Sequence, residues 1–126
     1  MLDPSELAVL AKRTKQASEN QQFEILVECF EAVLGPIKTQ RGNSSRYHDQ
    51  WLRFDKLLKN SAYETAAMLL IPEGKHLLLS RAPDGSARAL LTDDEPTKKD
   101  LPGAVNAVHA GLAIAAAAVL ATASRE

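Results

Sequence analysis

The sequence predicts an α+β fold: three or four N-terminal helices, one antiparallel β-hairpin, and an alanine-rich C-terminal helix packed on it. Three observations predict it. Apolar residues recur at spacings of three and four between Phe23 and Leu34 and again between Trp51 and Leu58, which is the helical period. Two short apolar runs, "KHLLLSR" and "ARALLT", are separated by "APDGS", the pattern of two strands around a tight turn. The chain closes on "AVNAVHAGLAIAAAAVLATA", rich in the residue that favours helix most. At 126 residues the chain suits one domain, residues 1–126, large enough to bury a core without staples.

The elements follow in order. In "DPSELAVLAKRTK", Asp3 is a natural cap, Pro4 stands where its missing N–H costs nothing, and Glu6 follows the cap by three, so a helix begins at Pro4. "FEILVECFEAVL" places Phe23, Leu26, Phe30 and Val33 or Leu34 on one helical face, and Gly35-Pro36 stop it. One helix from Pro4 to Leu34 and two helices broken near Ser18 to Asn20 both fit, and the break is preferred because serine and asparagine compete for backbone hydrogen bonds. "IKTQRGNSSRY" reads as a loop. "HDQWLRFDKLLK" puts Trp51, Phe54 and Leu58 on one face. Ser61 and Glu64 stand in capping-box spacing ahead of a helix that ends at Ile71-Pro72. The glycine of "PEG" then permits the reversal into the first strand. "DDEPTKKDLPG" is a charged loop, and residues 104–123 form the last helix.

Charge and composition narrow the function classes. Fifteen basic against sixteen acidic residues leave a net charge of −1, so the whole molecule exerts no long-range pull on nucleic acid or anionic lipid. One cysteine, Cys29, allows no internal disulfide, and the N-terminus lacks an apolar signal core, which predicts a cytoplasmic protein. Residues 104–123 carry no formal charge and are long enough to cross a bilayer. Alanine is poor greasing for lipid, however, and Asn106 and His109 interrupt the run, so a packing helix is expected and no membrane partner. The same small-residue helix offers a face for homo-oligomer formation. His48, His76 and His109 lack ligand spacing, no glycine-rich phosphate loop is present, and Cys29 sits among apolar neighbours where a thiol is usually inert packing. These observations predict no enzyme, no metal and no cofactor.

One segment stands out. Between Pro36 and Ala62, six cations (Lys38, Arg41, Arg46, Arg53, Lys56, Lys59) face two acids, Asp49 and Asp55, and Tyr47, Trp51 and Phe54 are interleaved with them. Such a surface grips phosphates and stacks on bases, or fills a protein groove. Arg41, Arg46, Tyr47, Trp51 and Arg53 are the candidate partner-binding residues. The competing account makes the aromatic residues core and the cations the solvated face of an ordinary amphipathic helix.

"VECFEAVLGP", "AAMLLIPEG" and "LAIAAAAVLATA" together resemble a group of small proteins encoded by phages and prophages, in particular of alphaproteobacteria. In that group a helix ending in "GP" is followed by a variable loop, a short helix reading like "SLDAAMxLVPEG", a hairpin and an alanine-rich terminal helix. Gly35, Pro36, Ala66, Ala67, Met68, Leu70, Pro72, Glu73 and Gly74 carry the match, over residues 23–126. Thr65 departs from it where the group has an acid, as do Lys75 and His76 where it has an aromatic. The resemblance implies a phage-borne accessory protein without an assigned activity. The expected function is non-enzymatic: occupying and blocking a host or phage protein inside the bacterial cell, with nucleic-acid binding through residues 38–59 as the alternative.

Overall fold

The computed structural model describes residues 2–36 and 44–124. Among the described residues, five α-helices and a three-stranded antiparallel sheet make an α+β fold around one buried helix. The helices are α1 (Pro4–Gln16), α2 (Gln22–Leu34), α3 (Ser44–Lys59), α4 (Tyr63–Met68) and α5 (Ala110–Ser124). The strands are β1 (His76–Arg81), β2 (Ala87–Thr92) and β3 (Val105–Ala107), in the order β1-β2-β3.

The first helix begins as its sequence dictates. Asp3 Oδ1 accepts from the Glu6 N–H at 2.8 Å, and the Asp3 N–H donates to Glu6 Oε1 at 3.3 Å, so both halves of the capping box form. The break preferred near Ser18 is present: α1 ends at Gln16, and the Ser18 N–H donates to Gln21 Oε1 at 2.9 Å in a 3-10 turn leading into α2. In α2 the buried face is Ile25, Leu26, Cys29 and Phe30, while Phe23, expected inside, is 39% exposed. "FEILVECF" is apolar on several sides, so spacing alone fits two faces, and packing against α5 selects one.

Residues 37–43 of the expected loop lie outside the described residues, but its last four, Ser44 to Tyr47, are the first turn of α3. Helix α3 closes with a Schellman arrangement: the Ala62 N–H donates to the Leu57 carbonyl at 2.9 Å and the Ser61 N–H to the Leu58 carbonyl at 3.0 Å. Ser61 takes a left-handed φ of 58° to make this turn. It therefore serves the end of α3 and not the start of α4, whose cap is Ala62. The expected Ser61–Glu64 capping box is absent, and Glu64 pairs with Arg81 of β1 instead.

The hairpin forms as expected, with Leu77 opposite Leu91 and Leu79 opposite Ala89. Its turn is held by Asp84, whose Oδ1 accepts from the Ser86 N–H at 2.9 Å and the Ser86 hydroxyl at 2.7 Å. Those bonds hold the Asp84 carboxyl below its ordinary pKa. Gly85 at φ 91° completes the reversal.

The third strand was expected as helix. Val105 and Ala107 are buried while Asn106 and Val108 are exposed, a period of two, and Val105 to Ala107 pair with Ala89 to Ala87 of β2. Helix α5 begins only after His109, whose carbonyl accepts from the Ala113 N–H at 3.1 Å. Every residue from Ala110 to Val119 is buried. A helix apolar on all sides needs a nonpolar environment all round. Here α1, α2, α4 and the sheet supply it. Eight of its fifteen residues are alanine, so those neighbours approach its backbone closely. Among the described residues no helix is long and apolar enough to cross a membrane.

Candidate interaction groove

The aromatic residues of the basic segment are turned toward the core. Phe30 is fully buried at the centre of a cluster, with ring centroids 5.5 Å from Tyr47, 5.3 Å from Trp51 and 4.7 Å from Phe54. Phe54 is fully buried, and Tyr47 and Trp51 are half-buried. Arg46 and Arg53 are exposed and, seven residues apart, share one outer stripe of α3. Arg41 and Lys38 lie outside the described residues. Of the five sequence candidates, Tyr47 and Trp51 thus lie together against Phe30, and Arg46 and Arg53 share the outer stripe. Lys59 is paired with Asp55 at 2.9 Å.

Tyr47 also hydrogen-bonds Glu31, its hydroxyl donating to Oε1. Burial, together with the hydrogen bond and charge of Glu31, pushes the phenol from 10 up to about 12. The folded-state value lies above the unfolded one, so the neutral phenol's contribution to stability is whole below pH 10 and is lost as the pH rises through about 12. The urea midpoint of the wild type is expected to fall across that window, and that of Tyr47→Phe to fall less. Parallel curves for the two proteins would rule out the coupling.

Cys29 has no catalytic setting. It is fully buried, its Sγ lies 3.3 Å from Thr14 Oγ1, and burial pushes the thiol up to about 12. Among the described residues no group of three or more His, Cys, Asp or Glu side chains could hold a metal ion.

The surface that the sequence reading missed lies on α1 and α2. Leu7, Leu10, Ala11 and Thr14 point α1 at the core, and beside them runs a second stripe, Leu2, Glu6, Val9 and Arg13, at helical spacing. Helix α2 returns along α1 and faces that stripe with Val27, Glu28, Glu31 and Ala32. Between them opens a groove of about 870 Å³, continuing to Gly35 and Pro36. Its lining is mostly apolar, and Val9 is 59% exposed. Arg13 bridges the two walls at one end, its guanidinium donating to both carboxylate oxygens of Glu28 at 3.2 and 2.9 Å. Both side chains of that pair are about half exposed, so it contributes little to stability and acts chiefly as a crossbar. Among the described lining residues, three carboxylates stand against one guanidinium, a balance of −2. The sequence signal was faint. It consisted of Leu2 and Val9 falling off the buried face of α1, and of the two acids Glu28 and Glu31 sharing a side of α2. Comparison of the chain with protein-family models, with curated proteins and with solved structures finds no match.

Proposed function

We propose that this protein acts without catalysis, by binding another protein in the groove between α1 and α2. The observation that carries this reading is the groove itself: an apolar trough on the outside of two helices whose opposite faces already fill the core. A concave, mostly apolar surface carrying a few charged side chains suits the apolar side chains of a binding partner. The resemblance over residues 23–126 supports a phage-type accessory role, in which the captured host or phage protein is blocked by occupancy.

The test is affinity capture from bacterial lysate with the tagged full chain, at low and high salt, with protein and nucleic acid both identified. Wild type is compared with two variants. Val9→Gln/Ala32→Gln puts long polar side chains into the groove and keeps good helix formers in both walls. Arg46→Glu/Arg53→Glu reverses the outer stripe of α3. One protein that is retained at high salt, lost by the groove variant and kept by the α3 variant is the expected result. Exposed Arg46 and Arg53 on a common stripe favour a second reading, nucleic-acid binding, which predicts capture that salt abolishes and only the α3 variant loses.

A further inference from the structure

We propose that the occupant of the groove is a single amphipathic helix of the partner, of about three turns, with basic residues flanking its apolar stripe. The inference rests on the groove as binding surface and adds the chemistry of what fills it.

Length comes first. The α1 wall runs from Leu2 to Arg13, twelve residues, of which the helical part from Pro4 rises about 14 Å at ~1.5 Å per residue. A trough of that length, bounded at one end by the Arg13–Glu28 crossbar, accepts about three turns of helix lying along it.

Backbone chemistry then excludes an extended segment. Both walls are α-helices, whose main-chain groups are paired within each helix, so the groove has no row of free N–H and C=O groups for a strand to pair with. A segment entering it must satisfy its own backbone, as a helix does, and present side chains at i, i+3, i+4 and i+7 to the apolar floor.

Charge sets the flanks. Among the described lining residues, Glu6 stands on one wall, Glu28 and Glu31 on the other, and Arg13 is the cation, already bound to Glu28. Glu31 accepts from the Tyr47 hydroxyl, yet a carboxylate has room for further donors. Lysine or arginine on both sides of an apolar stripe would meet a carboxylate on each wall. An acidic helix, or a phosphate backbone, would meet like charge.

The test uses the full chain and three synthetic probes of about 14 residues. The first is a leucine/lysine peptide with leucine at helical spacing. The second is the same peptide with glutamate for lysine, and the third has the leucine/lysine composition rearranged to alternate. Binding is followed by fluorescence polarisation and by amide chemical shifts. The helical leucine/lysine peptide is expected to bind at least about tenfold tighter than either other probe, with shifts confined to α1 and α2. Glu6→Gln/Glu31→Gln is expected to erase most of that preference. Glutamine at position 6 keeps the capping box, and at 31 it keeps an acceptor for Tyr47, so the fold is preserved. Equal binding of the glutamate peptide would overturn the basic flanks. Tighter binding of the alternating peptide would overturn the helix, as would failure of all three probes while lysate capture stays sensitive to Val9→Gln/Ala32→Gln. A dimer in sedimentation that this groove variant abolishes would replace the partner by a second copy. Lysate capture indifferent to the groove variant would instead remove the groove reading itself.

Discussion

Replacing Phe30 by alanine lowers the free energy of unfolding by about 3–5 kcal/mol, the largest loss expected from any single truncation in this chain. Phe30 is fully buried and touches three other rings, with centroids at 4.7 to 5.5 Å. Truncation removes the transfer energy of a large side chain, leaves a cavity, and strips Tyr47, Trp51 and Phe54 of their common neighbour. Because those three sit on α3, the loss falls on the joint between α2 and α3. Urea unfolding followed by Trp51 fluorescence reads both effects: the midpoint drops, and the native emission shifts toward that of the unfolded chain. A loss below about 1 kcal/mol would mean that α3 is held by something other than the ring cluster. The same cluster turns the aromatic residues of the basic segment toward Phe30, leaving Phe54 fully buried and Tyr47 and Trp51 half-buried.

Leucine at position 111 destabilises by about 3 kcal/mol, at the upper end of what overpacking costs. A Cβ built on Gly111 meets the carbonyl carbon and oxygen of Tyr63 at 3.1 Å and the nitrogen of Glu64 at 3.3 Å. These are backbone atoms at the start of α4, which cannot turn aside as a side chain can. Gly111 is where α4 lies directly on α5, and glycine inside a helix is otherwise disfavoured by roughly 1 kcal/mol relative to alanine. Gly111→Ala should consequently lie near zero, its helix gain set against the contact, while Gly111→Leu drives α4 away and exposes Ala66 and Ala67. Thermal unfolding of the two variants side by side checks this. Equal midpoints for wild type and Gly111→Leu would show that α4 is free to move.

Local chemistry was legible in the sequence wherever a residue's role depends on its immediate neighbours. Asp3, Pro4 and Glu6 start α1, Ser18 to Asn20 break it, and Asp84 and Gly85 turn the hairpin, all through bonds or backbone angles within a few residues, while α2 ends at Leu34 with Gly35 still at helical angles. The alternation of Val105, Asn106, Ala107 and Val108 was also there to be read, but alanine-rich surroundings gave the helical pattern more weight. Tertiary structure decided everything that depends on a second element. It chose which apolar face of α2 is buried, drew Tyr47 into α3 through Phe30 and Glu31, and took Ser61 for the end of α3. It also made the chain's most apolar helix a central one, because α1, α2, α4 and the sheet together cover all its sides. The groove belongs to this second class. Neither Val9 on α1, with Leu2 just before that helix, nor Val27 and Ala32 on α2 form a surface alone. They become one because both helices lean on α5 with their other faces, and the trough between them is what that packing leaves open.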